Sequence, residues 1–265
     1  MTEEQRAAVR FWRTHWRTQA WRARAARDDA EPWSLPIVVR VERDRTPSHQ
    51  QAMYASALAV VRLLADPAAA PDCPWHEPLE RWADGRIRKV VRRARGSRWL
   101  DVAALPGVTA TVDDAEVRAL LPHPVSEVPP PVGKLQVEGL DLDVDPDRSP
   151  GRFPLEDVGA EAEAAGGPTL TIVLAPRLAM STGKACAQVG HAAQLGLLEL
   201  GAERVFGWVD AGFPLRIVEA SRETWRGVVG GEVEAALVTD AGYTEVEPGT
   251  HTCASTFAEL ASLRP

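Results

Sequence analysis

Lys184, Gln188 and His191 stand at i, i+4 and i+7 within Met180-Ser181-Thr182-Gly183-Lys184-Ala185-Cys186-Ala187-Gln188-Val189-Gly190-His191-Ala192-Ala193. On a helix this spacing lines up a cation, an amide and an imidazole along one face. An imidazole titrating near pH 6.5 suits general-base work on water. Gly183-Lys184 at the mouth of the helix offers N–H groups and the positive dipole end to an anion. A nucleoside-triphosphate loop is excluded, because Leu178 and Ala185 stand where that pattern needs a glycine and a hydroxyl. Ala185, Ala187, Ala192 and Ala193 are small enough to let the helix lie close to a sheet.

A second cluster is Asp240-Ala241-Gly242-Tyr243-Thr244-Glu245-Val246-Glu247-Pro248-Gly249-Thr250. It follows an apolar run, so Asp240 is expected just past the carboxyl end of a strand, where open α/β sheets place ligands. Asp240 there orients a base or a water, or simply forms a turn. Thr244 and Thr250 bring hydroxyls that either meet substrate or bond to local backbone.

The elements that must hold these residues alternate. Residues 2–27 read as an amphipathic helix with a capping-box start (Thr2, Gln5) and an apolar stripe of Val9, Trp12, Trp16, Ala20 and Ala23. Strands are expected at 35–41, 87–94, 107–112 and 134–140, with a helix at 48–65. The span 141–168, rich in Asp, Pro and Gly, reads as a solvated linker. Strands at 169–175, 213–220, 235–239 and 250–256 follow, with helices at 184–200 and 222–229. This alternation indicates a layered α/β fold.

The chain also matches itself. A shift of 126 lays Trp82-Ala83-Asp84 on Trp208-Val209-Asp210, Trp99 on Trp225, Val102 on Val228 and Asp114-Ala115 on Asp240-Ala241. A shift of 135 lays Ile37-Val38 on Ile172-Val173 and Ala52, Ala57 and Leu63 on Ala187, Ala192 and Leu198. Two copies of one α/β unit follow, since shared composition does not place two tryptophans at the same separation. His49, Met53 and Ser56 replace Lys184, Gln188 and His191 in the first copy, which is therefore catalytically empty. The expected fold is two tandem mixed-sheet α/β/α units forming a pseudo-dimer, preceded by an N-terminal helix. Expected boundaries are 1–31 (basic helix), 32–140 (degenerate unit), 141–167 (linker) and 168–265 (site-bearing unit).

A hydrophobic content of 45% with 25% charged residues is that of a soluble globular chain. No apolar run is long enough for a membrane span, and arginines interrupt any signal-peptide core. Cys73, Cys186 and Cys253 are odd in number and lack metal-site spacing. No disulfide framework, metal or cofactor is therefore expected, and a reducing cytoplasm fits. The net charge of −7 conceals about +7 in residues 1–100 and −14 beyond. Arg86, Arg88, Lys89, Arg92 and Arg93, with Arg95 and Arg98, either form a solvated edge strand or track an RNA backbone.

The pattern M-x-x-G-K-x-x-A-Q-x-x-H-A-A, followed by D-A-G-x-T and P-G-T, resembles the type II peptidyl-tRNA hydrolases over about residues 168–256. That resemblance implies hydrolysis of the ester joining a stalled peptide, or an N-blocked amino acid, to the 3′ ribose of tRNA. It assigns water activation to His191, oxyanion or phosphate stabilisation to Lys184 and orientation of the base to Asp240. Gly183, Gln188, Thr244 and Thr250 bind substrate. Loss of Lys184 or His191 is then expected to abolish turnover. The family is usually homodimeric, so the degenerate unit takes the place of a second subunit, and the pseudo-dimer is either monomeric or pairs again. The chain departs from the family at Ala175, Arg177 and Tyr243 and in its ending, Ala254–Pro265. A catalytically weak tRNA- or ribosome-associated binding protein is the alternative.

Overall fold

A computed structural model describes residues 1–26, 31–145, 167–242 and 244–260. Its strands form two four-stranded paths of the same topology. In the first, β1 (Trp33–Arg40) pairs in parallel with β2 (Arg88–Ala94) and antiparallel with β4 (Ala115–Leu120). β3 (Gly107–Val112) lies outside β4, and the short β5 (His123–Pro124) also pairs with β1. In the second, β6 (Leu170–Leu174) takes the place of β1 between parallel β7 (Leu215–Glu219) and antiparallel β9 (His251–Thr256). β8 (Ala236–Thr239) lies outside β9. The registers agree as well. Ile37 pairs with Val91, and their counterparts Ile172 and Ile217 pair with each other.

The helices correspond in the same way. In the first unit α2 (His49–Leu64), α3 (His76–Ala83) and α4 (Ser97–Ala103) follow β1, β1 and β2. In the second, α6 (Thr182–Glu199), α7 (Ala202–Asp210) and α8 (Arg222–Val229) stand in those places; α5 is the single turn Pro130–Gly133. Trp82 of α3 and Trp208 of α7 are fully buried. Each indole N–H donates to the carbonyl six residues on, Arg88 at 2.8 Å and Pro214 at 2.6 Å. The tryptophans thus fix the entry to the second parallel strand in both units. The mixed α/β architecture with two similar sheet units agrees with the expected fold.

The units pack through α2 and α6, which run side by side in the same direction. His49 Nδ1 meets Thr182 Oγ1 at 2.9 Å, Ser56 lies beside Cys186, and Val60 lies over Gly190. Glycines thin α6 on two sides. A β-carbon on Gly190 would meet Val60 at 3.3 Å and Ile37 at 3.4 Å, both in the first unit. One on Gly196 would meet Ser255 at 3.0 Å and Leu170 at 3.1 Å, in its own sheet. Nearly the whole circumference of α6 is therefore buried, which explains its low polarity.

Parallel helices bring like dipole ends together, and the chain neutralises both ends. At the N-termini, the backbone of 140–145 supplies acceptors. Gly183 N donates to Leu140 O (3.1 Å) and His49 N to Asp143 O (2.9 Å). Residues 141–145, the start of the expected linker, are thus tied to these helices by their backbone; 146–166 lie outside the described residues. At the other end, Arg13 of α1 (Glu3–Ala26) is buried and donates to Leu197 O and, at 2.6 Å, to Leu200 O. Ala8, Val9, Trp12 and Trp16 of α1 are buried as the amphipathic stripe requires. The side chains of Ala20 and Ala23 lie outside the described residues.

Two sequence expectations need correction. Residues 134–140 are not a strand, because Gln136 touches β2 only at an isolated bridge with Arg93 before the chain leaves to cap α6. The strand absent from the sequence expectation is β4, antiparallel to β1, whose Ala115, Val117 and Ala119 alternate into the core behind the tight turn Asp113-Asp114. Among the described residues, no helix is long and apolar enough to cross a membrane.

Candidate functional site

The helix α6 begins at Ser181, whose hydroxyl accepts from Lys184 N at 3.2 Å. This cap orients the first turn and sends the Lys184 side chain towards the end of β8. There Lys184 Nζ lies 2.5 Å from Asp240 Oδ2, with both side chains less than a tenth exposed. Gln188, one turn on, donates to the same oxygen at 2.8 Å, and Gly242 N donates to Oδ1 at 2.8 Å. Thr244 Oγ1 lies 3.3 Å from Lys184 Nζ. Three donors, one cationic, thus hold the Asp240 carboxylate at the carboxyl end of its strand.

The loop carrying Asp240 has reasons for its residues. Gly242 has φ of 76°, and a β-carbon there would lie 2.6 Å from Pro248 Cδ and closer still to Cγ. Only glycine meets both the left-handed backbone and the close approach, so Gly242 and Pro248 are one packing device. The loop closes where Asp240 N donates to Thr250 O (2.9 Å) and Gly249 N to Asp240 O (2.8 Å). Glu245 reaches back to the helix, accepting from Ser181 N (2.8 Å) and Ser181 Oγ (2.7 Å).

The expected site residues divide. Lys184, Gln188, Asp240 and Thr244 come together. Gly183 does not offer a free anion cradle, because its N–H is spent on Leu140 and the carboxylate of Glu245 already sits at the helix mouth. The Thr250 hydroxyl donates to Glu247 O at 2.7 Å and serves the loop. Thr252, which the sequence reading missed, is fully buried and donates to Gln188 Oε1. Thr252 lies inside the buried strand β9, whereas Thr250 belongs to the loop before it. Tyr243 lies outside the described residues.

His191 departs most from expectation. Its Nδ1 lies 3.0 Å from Nζ of Lys89, from the first unit, rather than on Asp240. Lys89 also donates to Gln194 Oε1 and sits 4.8 Å over the Trp82 ring. Burial, then the charges of Lys89 and Lys184, hold the imidazole well below its ordinary range, and burial likewise depresses Lys89. At most one of the pair carries an extra proton, and a charged Lys89 occupies the lone pair a base would use. Lys89, expected among the RNA-contacting residues, thus directs its ammonium to His191 and Gln194 between the units. Arg92 donates to Leu135 O (3.1 Å) and Arg93 to Gln136 Oε1 (2.6 Å), while Arg86 is exposed and Arg88 half-buried.

The first unit builds no equivalent site. Asp114, the counterpart of Asp240, is exposed and paired with Arg45 at 3.0 Å. Its hairpin turns tightly, with Val112 opposite Ala115, where the second unit inserts the loop 240–250. Burial also lowers the pKa of His49. Among the described residues no group of three or more His, Cys, Asp or Glu is placed to hold a metal ion.

Residues 169–261 match the family model described as peptidyl-tRNA hydrolase PTH2. A peptidyl-tRNA hydrolase of Haloquadratum walsbyi is 34% identical over 87 residues, covering 31% of this chain and 78% of that protein. One of Sulfolobus acidocaldarius is 30% identical over 98 residues, covering 32% of this chain and 82% of that protein.

Proposed function

The chain belongs to the PTH2 family of peptidyl-tRNA hydrolases, and from this membership we propose that it cleaves the ester between peptide, or N-blocked amino acid, and the 3′ ribose of tRNA. Recycling of tRNA from stalled translation, in the cytoplasm, is the corresponding role. The observation that carries the reading is the Lys184–Asp240–Gln188 cluster at the end of β8, inside the matched region. An ammonium has three donors; Asp240 and Thr244 take two, and the third is directed to the developing carbonyl oxyanion. Asp240 Oδ1, bonded by a single N–H, keeps a lone pair for the attacking water. In this scheme the water's proton passes to Asp240 and then to the 3′ oxygen as the acyl C–O bond breaks. Thr252 and Gln188 position Asp240, and Thr244 contacts substrate. His191 becomes a link between the units rather than the base.

The same reading makes residues 32–140 a degenerate copy that stands in for a partner subunit. It is supported by the matching strand order, the paired tryptophans and the helix contact between α2 and α6. The test is single-turnover hydrolysis of N-acetyl-aminoacyl-tRNA beside unblocked aminoacyl-tRNA by wild type and Asp240→Asn. Cleavage of the blocked substrate alone, lost in the variant, is expected. Binding of tRNA with no cleavage by wild type would refute the activity.

A further inference from the structure

The first unit lacks the catalytic loop but carries an open cleft of about 780 Å³ at the carboxyl ends of its two parallel strands. Val41 and Ala94, joined by a 2.9 Å backbone hydrogen bond, form its floor. Arg43, Arg93, Arg95 and Arg98 surround it, against Glu42 and Asp44. Glu42 is already neutralised, since it accepts from Arg40 Nε (3.0 Å) and Gly96 N (2.9 Å). Arg43, Arg95 and Arg98 are exposed, and the first two make no hydrogen bond within the described residues. Gly96, at φ of 53°, turns the chain between Arg95 and Arg98 so that both flank the opening.

This charge belongs to the first unit alone. The counterparts of Arg93, Arg95 and Arg98 in the second unit are Glu219, Ser221 and Thr224. Glu219 even accepts from Arg177 N at 3.0 Å, so the corresponding strand end presents a carboxylate. The lining is too charged for an apolar small molecule, whose sites are mostly hydrophobic. The exposed guanidinium groups of Arg43 and Arg95, with Arg98 held by Lys134 O at 3.2 Å, stand in an open groove and suit bidentate contact with successive phosphates.

We propose that this cleft is a tRNA-binding subsite, in which Arg43, Arg95 and Arg98 grip backbone phosphates of the substrate whose acyl end lies at Lys184. The degenerate unit has lost the chemistry and holds the polyanion, and these arginines are part of the excess positive charge of the first 100 residues. The proposal rests on the hydrolase reading for the identity of the RNA.

The test uses the full chain and deacylated tRNA, with binding measured over a series of KCl concentrations. Arg43→Ala/Arg95→Ala is expected to weaken binding roughly ten- to thirtyfold near physiological salt and to lower the salt slope by about two. Arg95→Lys, which keeps the charge, retains most of the affinity, and Arg226→Ala, an exposed arginine of α8, leaves it unchanged. Thermal midpoints of all variants stay at the wild-type value, because these side chains are exposed. An unaltered slope in the double variant, or an equal loss in Arg226→Ala, would overturn the cleft. So would AMP binding abolished by the double variant while tRNA binding persists, which marks a small-anion site. Hydrolysis is followed separately. Wild-type cleavage with no effect of the double variant on KM removes the cleft and leaves the enzyme. Cleft-dependent tRNA binding without cleavage removes the enzyme and leaves the cleft.

Discussion

Replacing Lys184 with methionine keeps most of the side-chain volume and removes the cation that faces Asp240. The carboxylate is 8% exposed, so water does not take over the lost contact. Breaking a buried pair from one side costs about 3–5 kcal/mol, and the surviving N–H groups of Gln188 and Gly242 reduce this to about 3 kcal/mol. For a chain of this size that lowers the thermal midpoint by roughly 6–12 °C. Asp240→Asn removes the charge left stranded, so the double variant is expected to be more stable than Lys184→Met alone. A double-mutant cycle by thermal or urea unfolding should give a coupling of about 2 kcal/mol or more. Single-turnover hydrolysis, if Lys184 meets the oxyanion, falls by about 10²–10³ in each single variant and is not restored in the double. Additive stabilities would refute the pair as a buried unit. A rate recovered along with stability would refute its part in the chemistry.

The remaining predictions concern His191, Thr252 and Arg13. A depressed imidazole stays neutral in the folded chain while the unfolded one takes a proton near pH 6.5, so stability is full above that value and declines as pH falls through it. Thermal midpoints between pH 8 and 5 should show this loss, and Lys89→Met should shrink it by removing the neighbouring charge. His191→Gln should keep hydrolysis within a few-fold, with no imidazole inflection in the rate profile; a loss beyond a hundredfold would return the base to His191. Thr252→Val strands the Gln188 carbonyl and should cost about 1–3 kcal/mol together with activity, whereas Thr250→Val should leave the rate near wild type. Arg13→Met uncaps the Leu197 and Leu200 carbonyls and should lower the urea midpoint by about 3 kcal/mol of stability, with little change in KM.

Much of this architecture was legible because local patterns and long-range packing agreed. The Thr169–Ala175 run reads as a buried strand, and the Ala-rich stretch after Met180 reads as a helix lying close against a sheet. The paired tryptophans Trp82 and Trp208 point to two similar sheet units. Misreadings arose where a side chain had two chemically reasonable destinations. Lys89 and its arginine neighbours share composition, yet Lys89 lies within β2 and meets His191 across the interface, while Arg95 lies past the end of the strand and is exposed. Helical spacing put His191 on the face of Lys184, but the helix is covered from two directions, and the partner of each residue depends on which body lies over it. Thr250 ends the loop and Thr252 lies inside β9, so which of them meets Gln188 depends on where the strand begins. The hairpin at Asp113-Asp114 was missed because two aspartates were read as a counterpart motif rather than as a turn.

Because both halves of the α2–α6 interface reside in one polypeptide, each side evolves under its own codons. In a symmetric pair of identical chains every substitution appears twice, so a lysine reaching across the interface would be matched by a second lysine reaching back. Here Lys89 crosses to His191 while its counterpart, Leu215, is a buried apolar residue that sends nothing back. The covalent join also makes the association independent of concentration, so dilution does not separate the two bodies. One half is thereby released from repeating what the other does.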